Sequence, residues 1–215
     1  MTAYPPEPWD LEGTGQVGAW RVDAARVPAL PDGARPLVAR GRALAVTAFV
    51  DYAPTGLMAY HELLAGVLAR HGRGVALSIT DIWVDSEVSL AGGRGLWGIP
   101  KDLADFPDGT AAPTGRAGAA TTAALVDGRV AARATYAAAR GPALRLPLPL
   151  VGRVVQTLAG ETVATRIRAG GRVRRASATW ELPADGPLGW LDGARPVLHL
   201  LADPFSLTFG PRLRS

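Results

Sequence analysis

The chain has 23 cationic side chains, and Lys101 is the only lysine among them. An arginine serves as well as a lysine wherever a solvated positive charge is all that is needed. The bias toward Ala, Arg, Gly and Pro therefore explains the arginines and leaves the lysine unexplained. A position that must keep lysine is one that needs an amine able to lose its proton, which a guanidinium with a pKa above about 12 cannot do. A surface lysine retained by chance is the alternative that the count leaves open. The local sequence bears on the choice. Lys101 ends the run Leu96-Trp97-Gly98-Ile99-Pro100-Lys101, in which Trp97 and Ile99 can exclude water, Gly98 allows close backbone approach and Pro100 restrains the chain. Desolvation favours the neutral amine, and a neutral amine can attack a carbonyl to form a Schiff base. The protonated imine then draws electrons from the neighbouring carbon, which suits decarboxylation and aldol chemistry.

Few other residues can carry chemistry. The absence of cysteine removes disulfides, thiolate nucleophiles and sulfur-ligated zinc, and the three scattered histidines, His61, His71 and His199, argue against a metal site. Glu62 is a candidate acid/base or positioning group, or else a surface glutamate with an ion-pair partner. Arg94 is a candidate contact for a substrate anion, or else a cap on a helix C-terminus. Tyr60 and Trp97 read as walls of a binding pocket. If its segment is a strand, His61 points away from Glu62 and is structural or exposed.

These residues must be positioned by short elements, because Gly and Pro divide the chain at intervals of about 8 to 12 residues, the spacing of a mainly β protein. Ala43 to Asp51 and Gly74 to Val84 read as apolar strands. Thr121 to Val126 and Arg129 to Tyr136 read as a hairpin around Asp127-Gly128, and Thr162 to Ala169 and Arg172 to Trp180 as a second hairpin around Gly170-Gly171. Gly56 to Arg70 fits helix or strand. Ser86 to Trp97 reads as a helix with Asp85 as its N-cap, ended by Pro100, although glycines 92, 93 and 95 weaken it. Asp108 to Gly118 reads as a loop, and Arg140 to Leu150 as a turn or edge segment. The expected architecture is mainly β (α+β) in one domain spanning 1–215, either a sandwich or a closed barrel, and closure around a small-molecule cavity would supply the dry setting a neutral lysine needs.

The runs Gly93-Arg94-Gly95-Leu96-Trp97-Gly98-Ile99-Pro100-Lys101 and Gly56-Leu57-Met58-Ala59-Tyr60-His61-Glu62 resemble the acetoacetate decarboxylase superfamily, with the likeness extending from about Val17 to Phe106. The resemblance implies that Lys101 forms the Schiff base, that Glu62 lines its pocket, and that the chain folds as a closed antiparallel barrel with a few outer helices around a small-molecule cavity and assembles into homo-oligomers. It implies a small keto acid as substrate, turned over by decarboxylation or by aldolase or dehydratase chemistry. Three positions differ from the family pattern. Asp102 stands where a second lysine follows the first, Gly95 replaces a glutamate, and an N-terminal arginine of the decarboxylase aligns near Gly13. These differences motivate an alternative, a binding barrel without catalysis.

Composition excludes other classes. The net charge of +4 and pI of about 10.1 suit nucleic acid, but the arginines are interspersed with acids. The one cluster, Arg166, Arg168, Arg172, Arg174 and Arg175, reads as a solvated strand face. No apolar run reaches the ~18 residues of a membrane span, and Met1 to Asp10 lacks the character of a signal peptide. A cytoplasmic enzyme is expected, with no metal, no cofactor, and no nucleic-acid or membrane partner.

Overall fold

Alternating side chains carry most of the chain into strands, as seen in the computed structural model, which describes residues 2–107, 119–145 and 149–213. The strands are β1 (Trp9–Asp23), β2 (Ala34–Pro36), β3 (Val38–Ala39), β4 (Arg42–Tyr52), β5 (Tyr60–His71) and β6 (Gly74–Val84). Helix α1 (Glu87–Trp97) and β7 (Lys101–Leu103) follow. The second part of the chain adds β8 (Ala119–Val126), β9 (Arg129–Ala138), β10 (Leu144–Arg145), β11 (Leu150–Leu158), β12 (Glu161–Glu181) and β13 (Arg195–Arg212). Strands β11, β6, β5, β4, β1, β13 and β12 pair in that order, and β11 also pairs with β12, so that the seven close into a ring. The neighbours are antiparallel except at β11–β6, a parallel seam at Val154↔Leu77. The C-terminal part of β12 leaves the ring to pair with β9, which pairs with β8.

Two apolar clusters result, one on each face of the ring strands. Along β4, Ala48, Val50 and Tyr52 belong to the cluster inside the ring, while Ala43, Ala45 and Phe49 pack outward beneath β8, β9, Leu188 and Leu191. This explains why β4 reads as a nearly continuous apolar run, since a strand covered on both faces has no side that water can reach. It also settles Gly56 to Arg70. Strand neighbours on both edges, β4 and β6, hold residues 60–71 as β5 despite their local helix preference.

Two local expectations need correction. Gly170-Gly171 is not a turn, because β12 runs through it as one strand of 21 residues. β13 pairs with β12 on both sides of the glycines, with a register shift between Gly171 and Val173. Gly171 has φ +132°, and a Cβ there would collide with the Pro204 carbonyl oxygen. The pair is therefore a bulge that bends a long strand, and long-range pairing has overridden its turn preference. The hairpin turn lies earlier, at Ala159-Gly160 between β11 and β12, with φ of +51° and +83°. The other correction concerns α1, whose N-cap is Ser86, not Asp85; the Ser86 hydroxyl accepts from the Ser89 N–H. Asp85 instead accepts from the His61 N–H at 2.8 Å and meets its Nδ1 at 2.6 Å.

The hairpin at Asp127-Gly128 is present, with φ of +50° and +73°, the left-handed values a type I′ turn needs. The expected loop at 108–118 lies outside the described residues, as does part of the 140–150 segment. Arg166, Arg168, Arg172 and Arg175 are exposed. Among the described residues no helix is long and apolar enough to cross a membrane.

Candidate active site

Lys101 is the first residue of β7, which pairs in parallel with β6 at Ile82. The turn before it follows from Gly98, which caps α1 in the left-handed region (φ +66°) and donates its N–H to the Arg94 carbonyl. A Cβ at Gly98 would collide with the Thr157 carbonyl oxygen, so a closely packed left-handed residue is required and only glycine fits. The helix glycines also have a purpose. A Cβ at Gly93 would stand 2.7 Å from Cδ and 2.9 Å from Cε of Lys101, so the missing side chain is the groove in which the lysine lies.

The lysine side chain runs inward and is only 3% exposed. Its Nζ donates to Glu62 Oε2 and to Ser89 Oγ, each at 2.8 Å, and more weakly to the Tyr60 hydroxyl at 3.4 Å. It also lies 5.0 Å above the centre of the Tyr60 ring. Glu62 is equally enclosed and receives the Tyr52 hydroxyl on Oε1 at 3.2 Å. Tyr60 and Glu62 stand two apart on β5 and therefore share a face, and Tyr52 on β4 is directly opposite Tyr60, with ring centroids 4.5 Å apart. Burial, reinforced by the Glu62 carboxylate, pushes both tyrosine hydroxyls well above their ordinary pKa range. They remain protonated donors, which suits a buried carboxylate.

These groups border a cavity of about 120 Å³ inside the ring. Trp97 forms part of its wall, packed edge-on against Trp9 at 4.8 Å and against Phe209 at 4.6 Å. The indole N–H groups point elsewhere, Trp97 Nε1 to Glu7 Oε2 and Trp9 Nε1 to the Pro5 carbonyl. Tyr52, Tyr60, Glu62 and Lys101 are the polar groups that the wall offers among the described residues. No group of three His, Asp or Glu side chains in that set is placed to hold a metal.

The structure thus brings Lys101, Glu62, Tyr60 and Trp97 to one cavity and leaves Arg94 outside it. The half-exposed Arg94 side chain donates Nε to the Lys101 carbonyl at 2.6 Å and faces Asp102 at 3.7 Å. It braces the backbone of the lysine from without. Asp102 points outward, its side chain 70% exposed, so it does not crowd the amine. His61 lies on the other face of β5 with Asp85. Near Gly13 there is no room for an inward cation, since a Cβ there would collide with the Asp51 carbonyl oxygen. Sequence reasoning missed Tyr52 and Ser89. The register of a β4–β5 hairpin would have placed Tyr52 opposite Tyr60, and Ser89, three residues after the Ser86 cap, falls on the first turn of the helix that carries Lys101's groove.

The profile of the acetoacetate decarboxylase (ADC) family matches residues 1–182. Among solved structures, an acetoacetate decarboxylase-like enzyme from Sphingomonas wittichii RW1 superposes with a TM-score of 0.72 at 20% identity, covering 98% of this chain and 94% of that one. Acetoacetate decarboxylase from Legionella pneumophila superposes with a TM-score of 0.69 at 16% identity, covering 100% and 90%. The enduracididine biosynthesis enzyme MppR in complex with pyruvate gives 0.66 at 19% identity, covering 99% and 91%. No curated protein matches the chain by sequence. The superpositions show a shared fold, and the profile spans most of the chain: the protein belongs to the acetoacetate decarboxylase family.

Proposed function

We propose that the chain is an imine-forming lyase that makes or breaks a carbon–carbon bond in a small carbonyl compound, with Lys101 as nucleophile and Glu62 as its proton partner. The observation that supports this most directly is the amine itself, enclosed at 3% exposure, 2.8 Å from a buried carboxylate and facing a cavity. The ammonium passes a proton to Glu62, and the free amine attacks the carbonyl carbon. The carbonyl oxygen leaves as water, giving a protonated imine. Loss of carbon dioxide or of a proton from the neighbouring carbon sends its electron pair into the imine nitrogen and yields an enamine. Glu62, having taken up the proton lost from that carbon or, after loss of carbon dioxide, one from solvent, then protonates the enamine carbon, or the enamine carbon attacks a second carbonyl carbon, and water releases the product from Lys101.

Tyr52 and Tyr60 hold Glu62 in place, Ser89 orients the amine, and Trp97 keeps water from it. The chemistry needs no cofactor. The family resemblance suggests a keto acid, and MppR has been seen with pyruvate. The family resemblance also suggests a homo-oligomer of one-domain subunits, and the composition suggests a cytoplasmic location. Borohydride trapping with a panel of small keto acids and ketones tests the reading, and the expected result is added mass confined to Lys101. If no carbonyl compound adds mass there, covalent catalysis is refuted. The competing reading, binding without chemistry, is separated by Lys101→Arg, which would retain ligand binding yet cannot form an imine.

A further inference from the structure

We infer that the carbonyl compound held in this cavity is uncharged, a small neutral ketone or aldehyde with apolar substituents, in place of a keto acid. The inference rests on the imine reading above and concerns which compound Lys101 meets. It starts from the polar inventory of the wall. Tyr52, Tyr60, Glu62 and Lys101 form one cluster at one side of the cavity, and the remaining lining, including Leu11, Leu77, Ile79 and Phe209, is aliphatic or aromatic. Both indole N–H groups in the wall are already donated away from the cavity. Along the described lining a substrate carboxylate would find no side-chain donor apart from those already serving Glu62.

The charge count points the same way. Lys101 is the only cation on the described lining, and Glu62 balances it at 2.8 Å. Wherever the proton sits between them, the pair has no net charge. An added carboxylate would leave one unpaired negative charge in a site where both charged side chains are 4% exposed. Unpaired buried ions are strongly disfavoured, and a penalty on the order of 100-fold in affinity is expected. The guanidinium of Arg94, close to Lys101 in the chain, is committed outside the cavity to the Lys101 carbonyl and Asp102. On the cavity face of β1, the positions after Leu11 are Gly13 and Gly15, which bring no charge.

A neutral carbonyl avoids this penalty throughout the reaction. Nitrogen bonds the carbonyl carbon, oxygen leaves as water, and the protonated imine keeps the positive charge opposite the Glu62 carboxylate. Size narrows the class further. An apolar cavity of about 150 Å³ accepts benzene, so the ~120 Å³ here suits a ligand of about five or six non-hydrogen atoms.

The test compares isosteric pairs on the purified full chain: pyruvate with 3-methyl-2-butanone, and glyoxylate with 2-methylpropanal. Cyanoborohydride trapping at pH 7 is read by peptide mass at Lys101, with each rate divided by that on Nα-acetyl-lysine to remove intrinsic reactivity. Thermal shift with the same four compounds is measured in parallel. The expected result is labelling by the neutral member of each pair at least about tenfold faster than by its anion. Labelling by the anions as fast or faster overturns the inference while leaving imine chemistry standing. If no compound labels Lys101, the imine reading falls and the thermal shift decides the charge preference. Stabilisation by the neutral compounds alone then sustains it, and stabilisation by the anions or by neither class overturns it.

Discussion

Removing Lys101 alone should destabilise the protein more than removing Lys101 and Glu62 together weakens it beyond the single Glu62 variant. The reason is geometric. The pair is 2.8 Å apart with both side chains 4% exposed, and truncating one member leaves the other's charge buried. Such truncations cost about 3–5 kcal/mol. The lower end applies to Lys101→Met, because Glu62 keeps the Tyr52 hydroxyl at 3.2 Å and Tyr60 at 3.5 Å. Glu62→Gln should cost less, about 2 kcal/mol, since a glutamine oxygen in the Oε2 position still accepts from the ammonium and from Tyr60, and its NH2 in the Oε1 position can donate to the Tyr52 hydroxyl oxygen. The double variant has no charge to strand and should also cost about 2 kcal/mol, which leaves a coupling of about 3 kcal/mol. Urea denaturation of the four proteins, followed by tryptophan fluorescence, measures it. With a slope of about 2–3 kcal/mol per M, the Lys101→Met midpoint should fall by roughly 1–1.5 M and the double variant by less. A cost near 1 kcal/mol for Lys101→Met, with additive effects of the two substitutions, would refute the ion pair.

Gly93→Ala should slow imine trapping at Lys101 by about tenfold or more while costing only about 1–3 kcal/mol, since the new Cβ would meet Cδ and Cε of the lysine inside 3 Å; unchanged trapping would show that the groove does not set the amine's position. His199 tests a half-buried group beside the outer apolar cluster. Burial lowers its pKa below the ordinary 6.5, so the unfolded chain takes up a proton that the folded chain refuses. The stability that neutral His199 contributes is present above about pH 6.5 and is lost as pH falls toward its lowered folded value. His199→Phe, set among Trp20 and Tyr136 at 5.3 and 5.7 Å, should therefore lose less of its urea midpoint between pH 7.5 and 5.5 than the parent does. Equal losses would show that His199 carries none of the acid sensitivity.

Legibility in the sequence followed the range of the interactions. Where a few adjacent residues decide the conformation, reading them was enough: Asp127-Gly128 turns, and Gly98 before Pro100 ends α1. Gly170-Gly171 suits a turn or a bulge, and only pairing with Ser206 and Phe205 of β13, about thirty-five residues later, selects the bulge. Asp85 and Ser86 are both good N-caps, and the choice fell to Ser86 because His61, on another strand, takes Asp85. The juxtaposition of Lys101 with Glu62 was legible through the family likeness, since no spacing rule predicts that two residues 39 apart on different strands will meet. Tyr52 and Ser89 stayed hidden because their roles exist only once β4 meets β5 and α1 lies over the ring.

The same division explains why this cavity keeps a charged pair yet few other polar groups. The carboxylate and its tyrosines come from β4 and β5, strands that hydrogen bonds hold on both edges. The amine comes from a short strand led in by a helix whose glycines let it pack close, against Trp9 at Gly92 and against the lysine itself at Gly93. A side chain shift of an ångström on either part would break the 2.8 Å contact between two side chains that are each 4% exposed, so the two parts must be rigid in different ways, one by pairing and the other by packing. An interior otherwise made of Leu, Ile and aromatic residues then has a specific effect on chemistry. It strengthens the one electrostatic interaction present and penalises any second unpaired charge. The lysine is thereby reserved for a partner that brings a carbonyl and no charge of its own.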